Sequence, residues 1–247
     1  MALRLEHVKW DLPDDSGLNK EIIKDINLKF DDGKLIVVTG PNGGGKTTLA
    51  KLIAGVVMPK SGKIFLSEGE TERDITELDV TERARSGIAY AFQQPVRFKG
   101  LTVRNLLEIA AGRTMSQNEL CKLLGKVGLC AEEYINREMN TSLSGGESKR
   151  IEIATVLARN AKISVFDEPE AGIDLWSFNS LIKVFEKMQK NNKNSILIIS
   201  HQERILDIAD EIVLLADGVI KAHGSKEEIL PMVLGAENNG PCAKLQS

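Results

Sequence analysis

The 247-residue chain is predicted to be an α/β protein, and three observations point that way. Short apolar, β-branched runs recur along it: Leu35-Ile36-Val37-Val38-Thr39, Ile163-Ser164-Val165-Phe166 and Ser195-Ile196-Leu197-Ile198-Ile199 have the length and make-up of buried strands. Stretches with apolar residues at helical spacing alternate with them. The first run passes through a glycine loop, residues 40–48, directly into Leu49, Leu52 and Ile53, so strand, loop and helix follow without a break.

In chain order, Leu3, Leu5 and Val8 alternate with polar residues, and after a polar stretch at 11–20 so do Ile26, Leu28 and Phe30. A period of two with one apolar face predicts antiparallel strands packed on one side. The loop that follows is Gly40-Pro41-Asn42-Gly43-Gly44-Gly45-Lys46-Thr47-Thr48, which satisfies G-x-x-x-x-G-K-[ST], the phosphate-binding loop, in its expected strand–helix setting. Glycine is needed because the chain must wrap with its N–H groups turned inward on phosphate oxygens, and the helix N-terminus adds a positive end. Lys46 supplies charge for the β- and γ-phosphates of ATP, and the Thr47 hydroxyl is a ligand for Mg²⁺.

A break at 58–62 precedes another short strand, Lys63-Ile64-Phe65-Leu66, and residues 68–77 are polar enough to read as a surface excursion. A strand is expected over 86–92, closing at Gln93-Gln94-Pro95. From there to about 159 the pattern is helical: Val103, Leu106, Leu107 and Ala110 share a face, and Ser116 with Glu119 forms a capping box before a helix that Gly128 ends. Ser144-Gly145-Gly146-Glu147 is a second S-x-x-E start. Capping needs no glycine, whereas two bare glycines let a phosphate approach the N–H groups of the helix start.

The strand at 163–167 ends in Asp167 and Glu168, the pairing ATP chemistry needs: one carboxylate for Mg²⁺ and one to position water. Ligands of open α/β sheets sit at such strand ends. Asp174 is expected to start a helix with Trp176, Leu181, Ile182 and Phe185 inward, and His201 follows the strand 195–199 at the same end of the sheet. Residues 212–220 read as a hairpin turning at Asp217-Gly218. One domain is expected over 1–234, with a helical insert at about 94–159 and a mobile tail at 235–247.

Composition narrows the function classes. Hydrophobic residues are 42% and charged residues 27% of the chain, as in ordinary globular proteins, and a net charge of -3 gives no basic footprint for nucleic acid. The charged start Met1-Ala2-Leu3-Arg4-Leu5-Glu6-His7 does not read as a secretory leader, and no apolar run nears the roughly 20 residues of a spanning helix, so a cytoplasmic protein is expected, reaching a membrane only through a partner. Cys121, Cys130 and Cys242 lack metal-site spacing and read as reduced thiols, the first two packing helices.

Taken together, these residues resemble the ATP-binding-cassette (ABC) ATPases. Residues 40–48 match Walker A, Phe92-Gln93 the Q-loop, Leu143-Ser144-Gly145-Gly146-Glu147 the signature, Asp167-Glu168 Walker B, Ala171-Gly172-Ile173-Asp174 the D-loop and His201 the switch histidine, all in family order over residues 3–228. The resemblance implies a P-loop NTPase fold: a RecA-like core with an antiparallel β-subdomain and a helical subdomain. It implies that ATP is hydrolysed between two subunits, with Ser144, Gly145 and Gly146 completing a neighbour's site. It also implies roles: Glu168 as general base, Lys46 and His201 stabilising γ-phosphate charge, and Thr47, Gln93 and Asp167 around Mg²⁺. Leu12 stands at the position where the family stacks adenine on an aromatic ring, with Trp10 nearby.

Within the family two readings compete. Thr81-Glu82-Arg83-Ala84-Arg85-Ser86-Gly87-Ile88, then Ala91-Phe92-Gln93-Gln94-Pro95-Val96, resembles the ATPase subunit of the Suf iron-sulfur assembly system, which moves soluble scaffold proteins; the Gly172-Ile173-Asp174 turn leans the same way, and this is the preferred expectation. Leu143 in place of an aromatic residue, and Pro169 after Glu168, lean toward the alternative, an ATP-binding subunit coupled to a transmembrane permease.

Overall fold

The computed structural model describes residues 1–13, 19–140, 142–190 and 194–238. Its strands are β1 (Ala2–Pro13), β2 (Asn19–Phe30), β3 (Leu35–Thr39), β4 (Ser61–Glu68), β5 (Thr71–Asp74), β6 (Ile88–Ala91), β7 (Ile163–Asp167), β8 (Ser195–Ile199), β9 (Glu211–Ala216) and β10 (Val219–Ser225). Its helices are α1 (Lys46–Ala54), α2 (Val80–Arg85), α3 (Val103–Ala111), α4 (Gln117–Lys126), α5 (Ala131–Tyr134), α6 (Gly145–Arg159), α7 (Leu175–Lys190), α8 (Glu203–Leu206) and α9 (Lys226–Asn238). Two sheets form. One is six-stranded, ordered β10-β9-β3-β8-β7-β6, and the other four-stranded, ordered β2-β1-β4-β5.

The larger sheet is parallel from β9 through β3, β8 and β7 to β6, with β10 antiparallel at its edge. Every residue of β3, β7 and β8 is buried. Successive side chains serve opposite faces: Leu35, Val37, Ile196 and Ile198 join one core with α3, α4, α6 and α7, while Ile36, Val38, Leu197 and Ile199 join another with α1 and the smaller sheet. That two-sided burial is why these runs are apolar throughout. In the smaller antiparallel sheet only one face is covered, and there the polar alternation holds.

Its lapse in β1 has a local cause. Leu3 and Leu5 are followed by Val8 instead of residue 7, and the pairing register shifts between Leu5 and Val8, where His7 adopts φ 50. An extra residue at this bulge returns Val8 to the core face.

Several expectations are corrected. The polar stretch 68–77 contains the fully exposed strand β5, yet Ile75 and Thr76 are buried and the Thr76 hydroxyl caps the Ile64 N–H at 2.9 Å. Helix α2, with an Asp79–Glu82 capping box, was not foreseen, because its six residues are too few to show a period. Cys121 and Cys130 are exposed instead of packing helices: Cys121 lies one residue, and so about 100°, off the Leu120–Leu124 stripe of α4, and Cys130 caps α5. Helix α9 continues to Asn238, and the rest of the tail, with Cys242, lies outside the described residues.

Other expectations hold. Ser116–Glu119 and Ser144–Glu147 are both capping boxes, and Gly128, at φ 73, follows the end of α4. The β9–β10 hairpin turns at Asp217 and Gly218 with φ 53 and 77, both positive as a type I′ turn requires. Phe178, Leu181, Val184 and Phe185 form the buried stripe of α7, with Ile182 half-buried, while the Trp176 side chain lies outside the described residues. Among the described residues no helix is long and apolar enough to cross a membrane.

Candidate active site

The loop 40–48 leaves β3 and becomes α1. Gly40 has φ 138, and a Cβ there would sit 2.0 Å from the Leu215 carbonyl oxygen on β9, so only glycine allows the loop to cross the sheet end. Lys46, buried to 5% exposure, donates to the carbonyls of Gly40 at 2.7 Å and Pro41 at 3.0 Å. Burial lowers its pKa against the opposing pull of Glu168 and Asp167.

Asp167 ends β7 and is wholly buried. Thr47 donates its hydroxyl to Oδ1 at 3.1 Å, and Tyr90 on β6 donates to Oδ2 at 2.9 Å. Desolvation still pushes the carboxyl above its ordinary pKa, and pushes the Tyr90 phenol up as well. Glu168 follows with φ 44, an uncommon conformation for a non-glycine residue, and its N–H bonds the Ile199 carbonyl at 3.0 Å. Gln93 Nε2 donates to Glu168 Oε2 at 2.7 Å.

A cleft of about 600 Å³ brings together Asn42, Gly43, Gly45, Lys46, Thr47, Thr48, Gln93, Glu168 and His201 with Trp10, Leu12, Lys20 and Ile22 at its mouth. This size suits a nucleotide. Gly40, Pro41 and Gly44 form the turn behind the cleft wall, where Gly44 N–H bonds the Pro41 carbonyl at 3.1 Å, and Asp167 lies beneath it. Ser144, Gly145 and Gly146 do not line the cleft. They open α6, where Ser144 caps the helix and Glu147 accepts from the Tyr134 hydroxyl.

Three participants were not read from the sequence. Tyr90 sits mid-strand and Glu152 mid-helix, with nothing in spacing to single them out. Lys149, fully buried, donates to the Phe92 carbonyl and, at 3.3 Å each, to those of Gln93 and Asp167, while pairing with Glu152 at 3.4 Å. Glu152 in turn accepts the Phe92 N–H at 2.9 Å. Burial lowers the lysine and raises the glutamate, so the pair fixes the Q-loop backbone from below.

Mg²⁺ takes hard oxygen ligands and is held by one or two carboxylates completed by phosphate and water. The Thr47 hydroxyl bonded to a buried Asp167 fits that chemistry. Among the described residues there is no group of three or more His, Cys, Asp or Glu that could hold a metal.

Comparison with known proteins decides the family. The model of the ABC transporter family matches residues 23–171. The chain belongs to this family. It is 34% identical over 219 residues to an uncharacterized ABC transporter ATP-binding protein of Methanocaldococcus jannaschii, covering 85% of this chain and 86% of that one. It is 36% identical over 221 residues to a putative ABC transporter ATP-binding protein of Pyrococcus abyssi, covering 87% and 82%. Among solved structures it matches the ADP conformation of an ATP-binding cassette of an ABC transporter, with a TM-score of 0.76, 25% identity and 96% of each chain covered. It also shares its fold with a cassette solved as a dimer in a post-hydrolysis state bound to ADP and Pi, with a TM-score of 0.80, 22% identity, and 91% and 98% covered. The fold is therefore that of an ABC nucleotide-binding cassette, and the chain is an ABC-type ATPase.

Proposed function

We propose that the chain is the ATP-binding subunit of a membrane transporter, attached peripherally to the inner face of the membrane through a permease, and that two such subunits close on MgATP to drive it. The observation that carries this reading is an apolar groove of about 300 Å³ between α2, α3 and α6, beginning at Phe92, next to Gln93. Val80, Val96, Phe98 and Ile109 stand exposed along it, Ile109 at 64%. Apolar surface of this kind marks a partner site. A cytoplasmic element of a permease seated there would press on the segment whose Gln93 holds Glu168. The names of the two relatives reported above, both ABC transporter ATP-binding proteins, agree.

In this reading Lys46 and the loop N–H groups hold the β- and γ-phosphates, and Thr47, Asp167 and Gln93 would hold Mg²⁺, which when bound would supply neutralisation of phosphate charge. Glu168, with Oε2 accepting from Gln93, uses Oε1 to take a proton from water as the water oxygen attacks the γ-phosphorus. The bond to the β-bridging oxygen breaks, releasing ADP and phosphate, and His201 steadies the charge that develops on the γ-phosphoryl oxygens. Ser144, Gly145 and Gly146, absent from their own cleft, supply the exposed helix start to the second subunit's ATP. Adenine meets Leu12, Ile22 and Trp10 at the cleft mouth.

One observation keeps a second reading, the Suf-like ATPase acting on soluble scaffold proteins. The first stretch of that resemblance, 81–88, runs from α2 into β6 and lines one wall of the same groove through Ala84 and Ile88. None of the relatives reported above carries that name, and so the transporter reading leads. Affinity purification of the tagged chain at native expression, from soluble and detergent-extracted fractions separately, tests the two. Recovery with a multi-spanning protein supports the permease; recovery only with soluble scaffold-type proteins replaces it with the second reading.

A further inference from the structure

We infer that Glu170 is a positioning residue for ATP hydrolysis, tying the turn that bears Glu168 to the loop that bears His201. It stands two residues beyond Glu168, and its Oε1 accepts the Ser200 hydroxyl at 2.5 Å. Ser200 is wholly buried, directly precedes His201, donates its N–H to Val38 at 3.2 Å and accepts the Gln202 N–H on its own hydroxyl oxygen at 3.0 Å. The ends of β7 and β8 are thus joined twice, by the Glu168 N–H on Ile199 and by Glu170 on Ser200. The second tie has a clear task, because Glu168 is held at φ 44 and would relax out of the left-handed region without restraint.

Glu170 is retained at a cost. Its Oε2 is buried without a hydrogen-bond partner, and burial raises its carboxyl pKa, with His201 pulling the other way and Glu168 adding to the rise. Fold stability alone does not call for an orphaned carboxylate oxygen at this spot, and such outliers collect where geometry serves function. The same turn carries the constraint further. The Ala171 N–H bonds Glu168 at 3.0 Å, the Ile173 N–H bonds Glu170 at 3.1 Å, and the Gly172 carbonyl lies where a Cβ on Gly146 would come within 2.9 Å. Glu170 therefore anchors a turn that touches both the hydrolytic residues and the start of α6.

This inference rests on the roles assigned to Glu168 and His201 above, and the experiment separates the two. Steady-state ATP turnover and ATP affinity are measured on the full chain for Glu170→Ala, Ser200→Ala, their double variant, Glu170→Gln and Glu168→Gln. A broken tie misplaces the base and the histidine, so each single alanine variant lowers kcat on the order of tenfold or more with affinity held within about twofold. The double variant falls no further than either single one, and Glu170→Gln, which keeps an acceptor oxygen, restores at least about half of wild-type kcat. Wild-type kcat in Ser200→Ala and in whichever Glu170 variants fold, or strictly additive losses in the double variant, overturns the inference while an inactive Glu168→Gln leaves the site reading standing. Full turnover by Glu168→Gln removes the site reading itself, and the inference with it.

Discussion

Asp167→Asn should make this protein more stable and nearly inactive, and the two signs together test the reading of the site. Asp167 is wholly buried, and its largest perturbation is desolvation, which the Thr47 and Tyr90 hydroxyls and Lys149 only partly offset. A carboxylate whose folded pKa is raised destabilises the fold at neutral pH, because folding must keep a charge out of water. Asparagine is nearly isosteric, keeps an acceptor for one of the two hydroxyls and carries no charge. The expected gain is on the order of 1 kcal/mol at pH 7, within the range that single stabilising substitutions commonly reach. Urea unfolding followed by circular dichroism reads it as a higher midpoint at unchanged slope.

The pH dependence has a definite sign. With the folded pKa above the unfolded one, the native state binds more protons between the two values, so wild-type stability rises as pH falls through that window. The advantage of Asp167→Asn therefore shrinks toward mildly acidic pH, with no change of unfolding slope. Turnover in the variant falls by a factor of about 10² or more if Asp167 holds Mg²⁺ as proposed, since the anionic ligand is then lost. A variant less stable than wild type at pH 7, or one whose margin grows on acidification, would refute the desolvation argument.

Other outcomes follow from the same geometry. Glu168→Gln keeps ATP affinity and loses turnover by about 10²- to 10⁴-fold, checked by calorimetric binding beside a phosphate-release assay. Arg83→Ala destabilises by about 3 to 5 kcal/mol in denaturant unfolding, because the buried guanidinium, its pKa brought down to about 10 by burial, bonds the carbonyls of Leu52 and Ile53 at the end of α1 and of Thr76 and Leu78 before α2. Gly40→Ala meets the Leu215 carbonyl and loses the phosphate loop, seen as loss of ATP binding at a lower melting temperature. Ile109→Asp, exposed on α3, leaves the melting temperature within about 2 °C and removes the partner from affinity purification.

Local chemistry made much of this protein legible from its sequence. The phosphate loop, the apolar strands of the parallel sheet, both S-x-x-E helix starts and the carboxylates closing β7 depend on neighbours within a few residues, and a linear pattern records such dependence directly. Length set a limit: α2 and β5 are too short for a period to show, and Cys121 fell one step off a stripe that spacing alone located loosely. Only the fold decided which groups meet. Tyr90 and Thr47 converge on one carboxylate from β6 and α1, Lys149 reaches under the Q-loop from α6, and Ser200 meets Glu170 across two strand ends, because a parallel sheet brings to one edge residues that lie far apart along the chain. The separation of Ser144, Gly145 and Gly146 from the cleft they resemble partners of is likewise a property of tertiary packing: it places the helix start on the chain's own surface, where a second copy could use it.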